Sequence, residues 1–258
     1  MNAWMAALEA RQLSDLTFQE VARSLRALSS TYVERRQRLS EGAALSGAGK
    51  RAAFALFYGP LHFLTVHHIV SALGQPFTSI DALVDLGCGT AASSAGWGTA
   101  CAREPATLGV DRHPWVIGEA RRTYADLRMR GNFRVDDLTH VPLNVGARRD
   151  RRDRQPTDVR GTGVLLAYAA NEIAEAERRE RLLARLMDHA AAGGHVLVVE
   201  PLAGFVAPWW GAWQRRFQAA KGHAAEWRVP GDVPPVVEKL GRAAGLNYRE
   251  MKARTLSV

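Results

Sequence analysis

Cysteine is almost missing from this 258-residue chain, which has only Cys88 and Cys101. They form no C-x-x-C arrangement, so neither a disulfide framework nor a structural zinc site is implied, and a reducing, cytoplasmic setting is expected. Also lacking is any run of roughly 18 or more consecutive apolar residues. The opening MNAWMAALEARQLSD has no basic segment followed by an apolar one. The expectation is a soluble, unexported protein with no membrane partner. Histidines number eight, but their spacing does not make a metal site. His67 and His68 are adjacent and point about 100° apart on a helix, and His62 lies five residues from His67. No metal is expected, and these histidines are assigned to core or surface.

Acidic residues are the minority charge: 26 Asp and Glu stand against 34 Lys and Arg, a net charge of +8. An excess of positive charge favours an acidic partner such as RNA, because counterions are released from a phosphate backbone. Arginine-rich, alanine-rich composition of this kind also follows from a high-GC coding bias, so charge alone does not decide the partner.

What the chain does have is an α/β pattern. Residues 1 to about 80 read as a helical extension, with Phe18, Val21, Leu25 and Leu28 at helical spacing and an interruption expected at Gly59-Pro60. From 81 to 258, short apolar runs (ALVDLG, ATLGVD, NFRVDD, GVLLAYA, HVLVVEP) alternate with helical stretches. That alternation implies parallel βαβ units. Between the third and fourth runs lies the arginine-rich segment Gly146 to Gly163, read as a solvated loop in preference to an RNA-contacting arm.

The first strand ends in LVDLGCGTAASS, Leu83 to Ser94. Gly87 and Gly89 supply the tight turn and close backbone approach that a nucleotide cofactor needs. GCGTAA also satisfies the relaxed dinucleotide fingerprint, so the glycines alone are ambiguous. Asp85 decides between the candidates. A carboxylate beside the turn would repel a pyrophosphate, whereas S-adenosylmethionine carries an ammonium and a sulfonium. The second strand ends in Asp111, 24 residues past Gly87 (111 − 87), close to the roughly 20 expected of a carboxylate that binds ribose hydroxyls. The third run ends in Asp136 and Asp137, where a carboxylate would take an adenine amino group.

This constellation resembles the class I S-adenosylmethionine-dependent methyltransferases, from about Leu83 to Val258. The resemblance implies a Rossmann-like, seven-stranded, mostly parallel sheet with helices on both faces, preceded here by the helical extension. It implies that Asp85, Gly87 and Gly89 hold the methionine end, Asp111 the ribose and Asp137 the adenine with Asp136 as its fallback, while Cys88, Arg112, Leu138 and Ala167 complete the cofactor site. His113 is a further candidate for its wall. One departure is Ala91, where the family often has glycine.

Further on, Tyr168-Ala169-Ala170-Asn171-Glu172 precedes an E/R-rich helix, and Val199-Glu200-Pro201 is followed by Gly204-Phe205. Together these resemble the Rsm22-like family, methyltransferase-like proteins associated with the small ribosomal subunit. The resemblance implies RNA or the small ribosomal subunit as partner. Mitochondrial relatives carry cysteines for an iron–sulfur cluster, which two cysteines cannot supply, so no metal cluster is expected. Tyr168, Asn171 and Glu172, at the strand exit facing the methyl group in this fold, are the catalytic candidates, Glu172 as proton acceptor. The alternative for Asn171-Glu172 is a helix cap. No N-P-P-[YF] motif is present. In PWWGAWQRRFQ, Trp209, Trp213 and Phe217 share a helical face, read as buried; Trp210, Arg215 and Arg216 are the candidates for an RNA surface. Two further readings stay open: a small-molecule O- or N-methyltransferase with a helical lid, and a non-catalytic ribosome-assembly factor.

Overall fold

The structure, a computed structural model, describes residues 1–34, 45–143, 159–202, 207–246 and 250–258. Most of the arginine-rich segment, Arg148–Arg154 included, and Gly204-Phe205 lie outside the described residues.

Seven strands form one sheet: β1 (Ala82–Leu86), β2 (Ala106–Asp111), β3 (Gly131–Val135), β4 (Thr162–Ala167), β5 (His195–Pro201), β6 (His223–Pro230) and β7 (Glu250–Ser257). Their order is β3-β2-β1-β4-β5-β7-β6. Neighbours from β3 to β5 pair in parallel, and β7 runs antiparallel to both β5 and β6. This is the Rossmann-like, mostly parallel sheet expected from the strand pattern. The central strands β1 and β4 are buried along their whole length, which explains their nearly unbroken apolar sequence. The chain winds outward from β1 to β3 and then returns to β4, so the order reverses between β1 and β4. A crevice opens there, at the carboxyl ends of the strands.

Alternation along the strands sends side chains to two faces. Val84, Leu86, Val164 and Leu166 pack with Leu182, Leu186, Trp213 and Phe217 of α7 (Ala176–Ala191) and α8 (Trp210–Ala219). Leu83, Leu165 and Leu197 pack on the other face against Val66, Ile69 and Trp97 of α4 (Gly59–Leu73) and α5 (Ala92–Ala100). Each fully buried leucine or valine contributes roughly 1.5–3 kcal/mol. Gly96 lets α4 and α5 touch backbone to backbone, since a Cβ there would lie 2.4 Å from the Phe63 carbonyl oxygen.

The N-terminal helices are α1 (Asn2–Gln12), α2 (Phe18–Glu34) and α3 (Ala48–Ala53). Helix α2 begins with a reciprocal capping box: the Thr17 amide donates to Glu20 Oε2 (2.8 Å) and the Glu20 amide to Thr17 Oγ1 (3.3 Å). Helix α1 is clamped to α6 (Pro114–Asp126) by Arg11, which bonds Glu119 Oε1 at 2.6 Å and Asp126 Oδ2 at 3.0 Å. Val21, Leu25 and Leu28 of α2 join a core with α9 (Pro235–Ala244).

The expected interruption at Gly59-Pro60 is instead a π-helical turn, Phe54–Tyr58, that joins α3 to α4 without a break. The Gly59 amide reaches five residues back to the Phe54 carbonyl, and the widened turn absorbs the hydrogen bond that Pro60 cannot make. The continuous helix Ala48–Leu73 is long and apolar enough to cross a bilayer, yet 67% of its apolar window is buried within the protein.

Candidate cofactor and acceptor cavity

A cavity of about 820 Å³ occupies the crevice, within the roughly 300–1,000 Å³ usual for small-ligand sites. Its floor is the glycine turn. Gly87 (φ 73°) and Gly89 (φ 52°) both adopt left-handed backbone, and the amides of Gly87 and Cys88 donate to the Val110 carbonyl at 2.9 Å. A Cβ at Gly87 would stand 2.6 Å from that of Ala169. Asp111 fastens this turn: Oδ2 accepts from the Gly89 amide (3.1 Å) and Oδ1 from the His113 amide (2.9 Å). His113 then caps α6 by accepting from the Trp115 amide through Nδ1 (3.2 Å), and it also lines the cavity. Ala91, where the related turns often carry glycine, sits at φ 58°. That left-handed conformation costs a non-glycine residue roughly 1–2 kcal/mol, so the departure in sequence is not neutral.

Asp85, expected at the methionine end, is 1% exposed and is not among the residues that line the cavity; the hydroxyl and amide of Ser94 lie beside its carboxylate. Ser94, the nearby hydroxyl, donates to the Ala91 carbonyl at 3.2 Å. Burial pushes the Asp85 carboxyl up to about 7; the Ser94 hydroxyl and amide oppose the shift in part, and the charge of Asp111 adds to it.

Cys88, Arg112, Leu138 and Ala167 line the cavity, as do Asp136 and Asp137. Asp137 is fully engaged: Oδ1 accepts from the Thr139 hydroxyl (2.6 Å) and amide (2.9 Å), and Oδ2 pairs with Arg178 at 2.5 Å. Partial burial opposes ionisation, but Thr139 and Arg178 outweigh it and hold this carboxyl below the usual carboxylate range. Asp136 Oδ1 accepts from the Asp137 amide (2.8 Å), and Oδ2 pairs with Arg134 (3.1 Å). Arg185 of α7 braces the same loop by donating to the carbonyls of Thr139 and Val141.

Tyr168, Asn171 and Glu172 are brought together on the wall beyond β4. Tyr168 is left-handed (φ 60°), a conformation that bulky residues rarely adopt, and its ring stacks on His62 with centroids 4.0 Å apart. Asn171 and Glu172 belong to a 3₁₀ turn, Ala170–Glu172, and do not cap α7, which starts at Ala176. Asn171 is held at both ends: Nδ2 donates to Glu200 Oε2 (2.6 Å) and Oδ1 accepts from Trp209 Nε1 (3.0 Å). Glu200 also accepts from the Ala170 amide (3.2 Å). Burial, reinforced by Asp111, raises the Glu172 carboxyl to about 7.

Among the described residues, the candidate RNA surface of Trp210, Arg215 and Arg216 does not gather around this cavity. Trp210 is 8% exposed, packed on Trp209, with the Arg254 guanidinium 4.1 Å from its ring centre; it belongs to the core and not to a stacking platform. Arg215 and Arg216 are exposed on α8 but form no part of the cavity wall. That wall is acidic: Asp111, Asp136, Asp137, Glu172, Glu175 and Glu200 line it. Among the described residues, they face only Arg112, Arg178 and Lys252 of the lysine and arginine side chains. No cluster of three or more histidine, cysteine or carboxylate groups arranged for a metal ion is present among the described residues.

Sequence reasoning missed the roof. Phe54, Tyr58 and His62 line the cavity from the π turn and α4. Their i, i+4, i+8 spacing marks one helical face in the sequence, but a buried core stripe has the same spacing.

The chain matches no protein-family model and no curated protein. Solved structures do match it. Mitomycin 7-O-methyltransferase MmcR is 14% identical, with a TM-score of 0.50, over 98% of this chain and 71% of that one. This chain has the class I methyltransferase fold. N-methyltransferase NodS from Bradyrhizobium japonicum, in complex with S-adenosyl-L-homocysteine, is 12% identical with a TM-score of 0.47, covering 74% of this chain and 83% of that chain. Magnesium protoporphyrin IX methyltransferase from Synechocystis is 14% identical with a TM-score of 0.43, covering 76% and 82%.

Proposed function

We propose that the protein is an S-adenosylmethionine-dependent methyltransferase acting on a small molecule. The observation that carries this reading is the carboxylate clamp at the glycine turn: the Gly89 amide is already bound by Asp111, and the wall around it is predominantly acidic. A pyrophosphate would lose that amide and meet repulsion, whereas a cofactor bearing an ammonium and a sulfonium is favoured. The cradle fits such a group. Gly87 and Gly89 leave backbone room at the turn, Asp111 retains lone pairs for ribose hydroxyls, and Leu138 would flank the adenine, with Asp136 beside it and Asp137 holding the loop through Thr139 and Arg178.

When bound, S-adenosylmethionine supplies a methyl group activated by its positive sulfur. The chain itself contributes alignment, exclusion of water and a proton acceptor. Glu172, whose carboxyl is raised to about 7, takes the proton of the attacking group in its ionised form. Asn171, fixed between Glu200 and Trp209, positions the 3₁₀ turn that presents Glu172.

The likeness to the Rsm22-like family supports a second reading, in which the acceptor is RNA of the small ribosomal subunit. The net charge of +8 and the exposed Arg215 and Arg216 favour it. The acidic cavity wall opposes a phosphate backbone approaching Glu172, and it decides our preference. Incubation with methyl-labelled cofactor, offered separately with a small-molecule extract and with small ribosomal subunits, tests both. Label in the small-molecule fraction is expected. Label on RNA overturns the choice of acceptor, and label in neither overturns the enzyme reading.

A further inference from the structure

Resting on the methyltransferase reading, we infer that the half of the cavity beneath α4 is the acceptor site and that it takes a planar, uncharged aromatic molecule. Four rings build this half: Phe54 and Tyr58 from the π turn, His62 from α4 and Tyr168 from the exit of β4. His62 is the hub. Its ring centre lies 4.0 Å from Tyr168 in a stacked pair, 6.0 Å from Tyr58 and 6.4 Å from Phe54, the last edge-on. Met251 of β7 lines the cavity as well, its thioether accepting from the Thr65 hydroxyl at 3.4 Å.

The two halves of the cavity differ in chemistry. From Phe54 to Val70 the chain carries no Asp, Glu, Lys or Arg, and burial depresses His62 to about 3, so that it stays neutral at physiological pH. The carboxylates lie instead along the ends of β2 to β5. A charged acceptor placed against this uncharged helical stretch would lose hydration, with only Lys252, adjoining Met251, and Glu172, at the exit of β4, to offset it. A flat aromatic gains stacking and edge contacts, and Glu172 on the same wall is available to its ionisable hydroxyl or amino group. The π turn serves this arrangement by carrying Phe54 and Tyr58 over the turn at Gly89, where a Cβ would be 3.5 Å from the Phe54 ring.

The test is calorimetry on the full chain saturated with S-adenosylhomocysteine. The probes are 1-naphthol as a planar phenol, cyclohexanol as its non-planar control, and a short single-stranded RNA. Naphthol is expected to bind at least about tenfold more tightly than cyclohexanol. His62→Leu and Tyr58→Leu should each weaken naphthol by about three- to tenfold, with S-adenosylhomocysteine affinity and thermal unfolding close to wild type. Binding of RNA without naphthol, or of neither probe, overturns the inference while S-adenosylhomocysteine binding keeps the methyltransferase reading. Variants that weaken S-adenosylmethionine but not naphthol also overturn it, because the rings then hold the sulfonium. The comparison of naphthol with cyclohexanol needs no variant, so a folding failure in either mutant leaves the test intact. Failure of the wild type to bind S-adenosylhomocysteine counts against the methyltransferase reading itself.

Discussion

A carboxylate removed from water is costly to ionise, and Asp85, buried at the end of β1 beside the cofactor turn, is in that situation. Its carboxyl, raised from the ordinary 3.8 to about 7 mainly by burial, binds a proton in the folded chain over a pH range where the unfolded chain has released it. The folded state holds more protons between about pH 4 and about 7, so stability falls as pH rises through that window and levels off above it. Each pH unit of that window costs on the order of 1.4 kcal/mol. Asp85→Asn should reduce this slope to the part that Glu172 contributes and leave the variant more stable than wild type at pH 8, as measured by urea unfolding at several pH values. Equal slopes for the two proteins would contradict it. That an acid stands two residues before the glycines was legible in the sequence; that it faces inward was not. Its burial depends on α5, which brings Ser94 beside it, and that contact is not encoded in the motif. Asp111 was legible because its spacing from the turn is fixed by one βα unit, and the structure puts it on the turn's own amide.

At the scale of elements, the central strands were readable because burial on both faces forces a nearly continuous apolar run, and each run predicted from sequence overlaps a strand. The helices were less readable where backbone geometry replaces side-chain pattern. Phe54–Tyr58 looks like ordinary helix in composition, and only the absent Pro60 amide hints at the wider turn. Helix α8 shows the opposite case: its one-faced aromatic spacing correctly implied burial of Trp209, Trp213 and Phe217, but Trp210 follows them into the core because Arg254 covers its ring. The contact of α4 with α5 depends on the missing side chain of Gly96. Gly96→Ala should push a Cβ against the Phe63 carbonyl oxygen and the His67 amide, 2.4 and 3.1 Å away. Overpacking of this kind costs roughly 1–3 kcal/mol, and a melting temperature lower by about 2–12 °C is expected. An unchanged melting temperature would mean that the two helices separate freely. Because His62 and Phe63 are adjacent on α4, the same variant should also disturb the aromatic roof.

For the whole molecule, charge and site point in different directions. The surface is basic overall while the cavity wall is acidic, a contrast that composition cannot reveal because it sums over all residues. The fold was legible from strand alternation and the glycine turn. The acceptor half was not, because its residues come from the helical extension and assemble with the sheet only in three dimensions. The central claim is that the turn clamped by Asp111 holds S-adenosylmethionine, and its most direct test is calorimetric titration of wild type and Asp111→Ala with S-adenosylhomocysteine and, separately, NAD. Micromolar binding of S-adenosylhomocysteine and none of NAD is expected in the wild type. The variant should bind more weakly by about 1.5–3 kcal/mol, roughly ten- to a hundredfold, through loss of charge-assisted hydrogen bonds to the ribose. NAD binding in place of S-adenosylhomocysteine, or an affinity for S-adenosylhomocysteine unchanged by removal of Asp111, would contradict the account.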